Sequence, residues 1–202
     1  MPWLLALHAN TGDQRAIDHA SRGIASWHRR FVAVDSDYEF AWHDHATANR
    51  LMAVLSLLCH LEMFPARIDL DAVLPDFLRA HGDRLCMEEM YSRHTNHGID
   101  QSRALLLLAT CAPWLEHADH WREVAIARLE DELGHAFAAD GGHVENSPGY
   151  HQFVSNLFTD VLATFGEALD AGFRERVQAK LAQAAGFMAW ICLLYTSDAA
   201  DE

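Results

Sequence analysis

The chain has 202 residues, half of which are hydrophobic, and carries a formal net charge of −14 at pH 7 with histidine neutral. A chain of this composition buries one substantial core and is not disordered. The acidic balance and the lack of a basic run argue against nucleic acid or an anionic membrane as a partner, and no apolar stretch reaches the roughly 18 residues of a membrane span.

The two ends of the chain differ from its interior. The start, MPWLLALHANTGDQ, lacks the basic region, the long apolar run and the small-residue cleavage site of a signal peptide. The last residues, 192–202, break the helical pattern before them and resemble translated adapter sequence. We therefore predict one domain over residues 1–191 and a non-native tail over residues 192–202.

Apolar residues recur at helical spacing along almost the whole chain, and no window alternates at period two. Two local signals agree with helices: Ser147 followed by Pro148 is typical of a helix start, and ADGG at 139–142 is typical of a helix stop. The spacing predicts an all-α fold with helices at about 13–31, 44–62, 70–91, 97–111, 119–138, 148–169 and 172–190.

A repeat of about 52 residues relates every second helix. Similar helix starts occur near His45, His97 and Tyr150, which are 52 and 53 residues apart. Two helices per period predict stacked antiparallel hairpins, in an open solenoid or in a closed α/α toroid, and the repeat does not distinguish them. In either arrangement the starts of alternate helices share one rim, so we expect His43, His45, Asn96, His97 and Tyr150 to converge there.

The first turns of these alternate helices are polar, whereas the turns that follow are apolar. RHTNHGIDQSR precedes ALLLLA, and HVENSPGYHQ precedes FVSNLF. Helix N-termini offer unpaired N–H groups and the positive end of the helix dipole, so a ring of them attracts anions. This pattern indicates a site for carboxylate or sulfate groups.

The four cysteines show no metal-binding or disulfide pattern. Cys59, Cys86, Cys111 and Cys192 include no CxxC pair and no short spacing, so neither a disulfide framework nor a zinc knuckle is predicted. Cys59 and Cys111 fall on apolar helical faces, where we expect small buried thiols. Cysteine usage therefore leaves the redox compartment open.

Three segments carry a family resemblance. NHGIDQ at 96–101 and ENSPGYH at 145–151 resemble the paired motifs of the heparinase II/III-like polysaccharide lyases, which include alginate lyases, and WHDHATANR at 42–50 resembles the preceding inner helix of that family. The likeness covers roughly residues 13–190. It implies an incomplete α/α toroid followed, in the whole protein, by a β-sandwich domain that this chain does not reach.

The resemblance also implies a substrate and a mechanism. The expected substrate is an acidic polysaccharide or oligosaccharide, cleaved by β-elimination beside a uronic acid. Asn96 and His97 are expected to neutralise the sugar carboxylate, and Tyr150 to protonate the leaving oxygen. Tyr150 could also act as the base if a nearby cationic histidine lowered its pKa, and His97 could share that role.

Each of these three residues has a structural alternative. Asn96 could be only the N-cap of its helix, His97 a structural histidine and Tyr150 a core aromatic. The further substrate-binding candidates are Asp100, which could instead orient His97, and Glu145, which could instead complement a helix dipole, together with His45, His151 and Trp42. For Trp42, next to His43, core packing is favoured over stacking on a sugar.

The resemblance sets further expectations for the molecule as a whole. It favours a periplasmic or secreted location and implies that the fragment is inactive alone. No cofactor or metal is predicted within this chain, although the family allows a metal in the β-sandwich domain. The oligomeric state is not predicted, and the charge of −14 argues mildly against highly sulfated substrates.

Three other functions remain open at the level of sequence. A glycoside hydrolase would need two flanking carboxylates, for which Asp44, Asp140 and Glu145 are candidates. A metal site is disfavoured because HDH and HTNH lack the i, i+4 ligand pair of the strong zinc motif. A non-enzymatic helical-repeat scaffold would bind partners through its concave face and would not need Tyr, His and Asn at helix starts.

Overall fold

The structure, a computed structural model, describes residues 1–34 and 38–198, without the side chains of Glu39 and of residues 193–198. The described residues form helices and two single turns of 3₁₀-helix, at Glu39–Ala41 and Glu88–Met90, and the predicted all-α fold class is confirmed. The helices are α1 Pro2–Thr11, α2 Gln14–Phe31, α3 Asp44–Met63, α4 Leu74–Cys86, α5 Asn96–Cys111, α6 Ala118–Ala136, α7 Pro148–Phe165 and α8 Ala171–Asp198.

Helix α1 was not predicted, and α8 extends further than predicted. Helix α1 ends at Gly12, whose φ of 67° is left-handed and whose N–H donates to the His8 carbonyl. Asp13 then caps α2 by accepting the Arg15 N–H. At the other end α8 continues to Asp198, so the expected break in helical structure at residue 192 is wrong for residues 192–198.

The chain divides into two compact units. The first comprises Met1–Ser92 and Asp100–Ile126, and the second comprises Arg93–Ile99 and Ala127–Glu202. Consecutive helices pack as hairpins within them: α1 with α2 and α3 with α4 in the first unit, and α7 with α8 in the second. Among the described residues, no helix combines the length and the apolarity that crossing a bilayer requires.

The core of the first unit closes around Trp121, which is 1% exposed. Its ring packs against the backbone of Gly82, where an added Cβ would lie 2.6 Å from Trp121 Cζ2. Only glycine allows this close approach of α4 to the indole. Other fully buried side chains of this unit are Ile17, Leu51, Leu55, Leu57, Phe77, Leu78 and Leu85. Cys59 in the last turns of α3 and Cys111 at the last residue of α5 are exposed, so the expectation that they are buried is wrong.

The core of the second unit contains Phe137, Phe158 and Phe173, all buried. The turn after α6 packs closely onto α8. A Cβ added to Gly141 in this turn would lie only 2.5 Å from the Gln183 carbonyl oxygen of α8. Gly141 also has a φ of 90°, which favours glycine. The predicted helix stop at 139–142 is therefore confirmed.

Candidate functional site

The start of α7 presents Tyr150 to solvent. Ser147 is the N-cap, and its hydroxyl accepts the Tyr150 N–H at 3.4 Å, with Pro148 in the first turn. The predicted Ser147–Pro148 helix start is confirmed. The Tyr150 side chain is 43% exposed, so the alternative of a core aromatic does not hold, and the phenol is accessible to a ligand.

A buried histidine that the sequence did not single out lies beside Tyr150. The His143 ring is 6% exposed and stacks near the Tyr150 ring, with 6.4 Å between centroids. Its Nδ1 accepts the Glu145 N–H at 3.2 Å. Burial lowers the pKa of His143, as do His151 and His135, against an opposing effect of Glu145. His143 is therefore neutral at pH 7 and is not a cation that would lower the pKa of a neighbouring phenol.

The loop before α7 contains three further polar residues. Glu145 is exposed two residues before the N-cap, and Asn146 follows it in the left-handed region with φ 51°. The carboxylate of Asp140 accepts the Gly142 N–H at 3.0 Å and so closes the preceding turn. Substrate binding by Glu145 stays a prediction.

Helix α5 begins at Asn96, but the cap is the residue before it. Thr95 Oγ1 accepts the Gly98 N–H at 3.2 Å, and the Thr95 carbonyl accepts the Ile99 N–H at 3.2 Å. Thr95 therefore does the capping that the sequence had assigned to Asn96 as its structural alternative. Asn96 and His97, both half-buried, form the first turn.

The segment before α5 is anchored to α6 by acidic residues that sequence reasoning missed. The His94 N–H donates to Glu132 Oε1 at 2.8 Å, with His94 at φ 62°, and its ring stacks on His135 at 3.8 Å. Arg93 makes a two-pronged ion pair with Asp131 at 2.8 and 2.9 Å, which lowers the pKa of that carboxyl. These contacts fix the backbone from which Asn96 and His97 project.

Asp100 is held by two partners within the first unit. Its Oδ2 lies 3.0 Å from His45 Nε2, and its Oδ1 accepts from Arg103 Nη1 at 2.9 Å. Asp100 is 8% exposed, so its carboxylate is a buried junction between α3 and α5. At the start of α3, Asp44 accepts the His45 N–H and the Ser92 hydroxyl. The structure thus brings together His45 and Asp100, two of the predicted binding residues.

Trp42 and His151 lie in the cores, and the structure corrects their prediction as substrate contacts. The Trp42 ring is 6% exposed, packs edge-on against Trp27 at 4.9 Å and has the Arg84 guanidinium 4.6 Å from its centroid. His151 is 2% exposed, and its Nε2–H donates to the Ala184 carbonyl at 3.0 Å. Both residues are almost wholly covered by their neighbours, which argues against stacking on a sugar ring.

Two further expectations concern the site as a whole. Asn96, His97 and Tyr150 belong to the second unit, at the starts of α5 and α7. Their convergence on one ligand stays a prediction, as does the expectation that they share one rim with His43 and His45. Over residues 1–34 and 38–198, no three or more His, Cys, Asp or Glu side chains gather as a metal site would require.

Comparisons with known proteins identify relatives. Residues 6–189 match the model of the Heparinase II/III N-terminus family. A curated relative, heparin-sulfate lyase from Pedobacter heparinus, is 25% identical over 168 residues, which cover 81% of this chain and 24% of the relative.

Solved structures show the same fold. Heparan sulfate lyase HepC from Pedobacter heparinus aligns with a TM-score of 0.73 at 18% identity, over 92% of this chain and 30% of that one. A structure of Heparinase III aligns with a TM-score of 0.68 at 18% identity, over 90% of this chain and 28% of that one. The predicted incomplete α/α toroid of helical hairpins is therefore confirmed, and the chain spans about a quarter to a third of these relatives. The match over most of its length shows that the chain belongs to the Heparinase II/III N-terminus family.

Proposed function

We propose that this chain supplies the toroid part of a polysaccharide lyase that cleaves a uronic-acid-containing polysaccharide by β-elimination. The observation that carries this function is the exposed Tyr150 phenol at the capped start of α7, in the same compact unit as Asn96 and His97 at the start of α5. Thr95 caps α5, so capping does not explain the choice of Asn at position 96.

The chemistry follows from the acidity of the substrate. A base removes the weakly acidic proton at C5, beside the carboxylate, and the electron pair forms the C4–C5 double bond as the C4–O bond breaks. Asn96 and His97 bind the carboxylate and stabilise the enolate that develops on it, and the first-turn N–H groups of α5 add to the positive potential. Tyr150 gives its proton to the leaving oxygen.

The identity of the base depends on the neighbours of Tyr150. His143 is neutral at pH 7 because it is buried, so it does not assist deprotonation of Tyr150 by its charge. We therefore assign to His97, in the first turn of α5, the role of the histidine that assists Tyr150 as base. His97 accepting the C5 proton itself is the alternative assignment.

For the substrate class, we propose a sparsely sulfated polymer of the heparan sulfate type. The names of the relatives, heparin-sulfate lyase and heparan sulfate lyase, support this class. The net charge of −14 disfavours a densely sulfated chain. We further propose a periplasmic or secreted location, a β-sandwich domain beyond this chain, no cofactor within it, and no turnover by the chain alone.

The test uses the protein encoded by the whole gene that carries this chain. It is incubated with heparan sulfate, alginate and hyaluronate, and the ultraviolet absorbance of the new double bond is followed. Tyr150→Phe should reduce kcat by about 10²- to 10⁴-fold, the typical contribution of a general acid or base. Tyr38→Phe removes the hydroxyl of another exposed tyrosine and should leave kcat unchanged.

The alternatives predict other outcomes. New reducing ends without a double bond would indicate a hydrolase. Saturable binding without any turnover, unchanged in Tyr150→Phe, would indicate a binding scaffold. Either result would overturn the proposed elimination.

A further inference from the structure

The first unit contains a cavity that the proposed elimination does not use. It lies between α1, α2 and α3, with one wall residue from α4, and its volume is about 300 Å³. Cavities of this size and larger hold small molecules in proteins. Most of its lining is apolar, including Leu4, Ile24, Trp27, Val54 and Phe77. The cavity is formed without Asn96, His97 or Tyr150, which belong to the second unit.

The ionisable side chains that line this cavity are basic. Arg50 and His19 contribute to the lining, whereas no Asp or Glu of the described residues does. The whole chain has 29 Asp and Glu against 15 Lys and Arg, so a lining without acids runs against its composition. An apolar wall with a cation in it favours a ligand that joins an apolar body to a negative charge.

Arg50 has no carboxylate partner within residues 1–34 and 38–198. Its Nη2 donates to the Ala41 carbonyl at 2.8 Å and its Nη1 to His81 Nε2 at 3.1 Å, and its Cζ lies 4.0 Å from the centroid of the Trp27 ring. A guanidinium has five N–H donors, so in the described part of the chain three of them remain for another acceptor. Burial lowers the pKa of Arg50 to about 10, which leaves it cationic at pH 7.

Gly23 leaves the wall formed by α2 open. It lies in the interior of this helix, where glycine is less stable than alanine. A Cβ added to Gly23 would meet nothing within 4 Å, and its φ is not left-handed. Neither packing nor backbone conformation therefore requires glycine here, in contrast to Gly82 against Trp121. The missing side chain keeps free a part of the cavity in which a ligand can approach the helix backbone.

We propose that the cavity bounded by Gly23, Trp27, Arg50 and Phe77 binds a small aromatic carboxylate from solution. The carboxylate accepts from the remaining N–H groups of Arg50, in a charge-assisted contact that supplies the missing negative partner. The aromatic body packs against the apolar lining, where Trp27 and Phe77 provide ring surfaces. This site does not depend on the proposed lyase activity.

An NMR titration tests the site. The 202-residue chain, labelled with ¹⁵N, is titrated with 3-phenylpropionate and with its neutral analogue 3-phenylpropionamide. We expect saturable shifts of the Gly23 amide and of the Trp27 indole N–H with 3-phenylpropionate, at a Kd of about 1 mM or tighter for a ligand of this size. The amide should bind about tenfold more weakly or less, because it lacks the charge that pairs with Arg50.

A matched pair of glycine substitutions locates the ligand. Gly23→Leu places a side chain in the cavity and should abolish the saturable shifts while leaving Arg50 in place. Gly134→Leu is the control, because Gly134 is also interior to a helix with open space around it, but it does not line the cavity. This variant should bind 3-phenylpropionate as the wild type does. A dispersed amide spectrum shows that each variant is folded.

The charge is tested separately. Arg50→Gln should reduce the affinity for 3-phenylpropionate about tenfold, to that of the amide, and leave the affinity for the amide unchanged. If this variant does not fold, the wild-type preference for the carboxylate and the effect of Gly23→Leu still decide the proposal.

Four results would overturn the site. They are equal affinities of the wild type for the carboxylate and the amide, shifts that spare Gly23 and Trp27, and undiminished binding by Gly23→Leu. The fourth concerns the protein encoded by the whole gene, which should bind 3-phenylpropionate in a calorimetric titration with a similar Kd. Failure of that protein to bind would show that its other residues fill the cavity.

Discussion

A fall in pH should destabilise this protein through His81 of α4. The side chain is 0% exposed, and both of its ring nitrogens are hydrogen-bonded. Nδ1 lies 2.8 Å from the Phe77 carbonyl oxygen, which only accepts, and Nε2 lies 3.1 Å from Arg50 Nη1, which only donates. The ring is therefore neutral, with its proton on Nδ1. Burial, with a smaller effect of Arg50, lowers the pKa of His81 to about 3.

The sign and size of the effect follow from proton linkage. In the unfolded chain a histidine takes up a proton below pH of about 6.5, whereas folded His81 does so only near pH 3. The stabilisation is complete above pH 6.5 and is lost as the pH falls from 6.5 towards 3. Each pH unit in that window costs about 1.4 kcal/mol, so at pH 4.5 the loss from His81 is about 2.7 kcal/mol.

Urea unfolding measured by tryptophan fluorescence at pH 7, 6, 5 and 4.5 tests this effect. His60 and His143, whose pKa values burial also lowers, contribute to the pH dependence of every variant. His81→Gln removes only one titrating group, so its slope between pH 6.5 and 4.5 should be smaller than that of the wild type by about 1.4 kcal/mol per pH unit. His120→Gln, at an exposed histidine, should keep the wild-type slope. Equal slopes for His81→Gln and the wild type would refute the reasoning.

Two further substitutions test the packing and capping contacts. Gly82→Ala should lower the free energy of unfolding by about 1–3 kcal/mol, because its Cβ would lie 2.6 Å from Trp121 Cζ2. In the same urea assay Gly134→Ala, whose added Cβ meets nothing within 4 Å, should be neutral or stabilising. Equal effects of the two substitutions would contradict the close approach of Gly82 to Trp121. Thr95→Ala should cost about 0.5–2 kcal/mol by removing the α5 cap, and Thr95→Ser should restore most of it. A stable Thr95→Ala variant would mean that another group caps α5.

The fold was largely predictable because apolar residues recur at helical spacing along most of the chain and no window alternates at the spacing of a strand. The periodicity located α2 to α8, and Ser147–Pro148 set the start of α7 correctly. Helix α1 was missed because PWLLAL is apolar on every side, which gives no period to detect. The predicted helix at 70–91 was too long, since the structure has α4 only over Leu74–Cys86 and a separate 3₁₀ turn after it.

The site was less predictable, because a pattern gives the position of a residue along a helix and not its surroundings. Tyr150 and His151 are neighbours in sequence, but successive helical residues point about 100° apart, so one is exposed and the other buried. Trp42 is covered by an arginine and aromatic rings that come from other helices. For the same reason the sequence offered Asn96 as the cap of α5, whereas in the structure Thr95 is the cap.

The arrangement around the sugar is tested most directly by the structure of a complex. The Tyr150→Phe variant of the protein encoded by the whole gene would be crystallised with a uronic-acid oligosaccharide. We expect the Asn96 amide and the His97 imidazole to lie within about 3.2 Å of the same carboxylate, with the ring of residue 150 facing C4 and C5. A bound sugar whose carboxylate contacts neither residue, or that lies away from the start of α7, would contradict the proposed elimination.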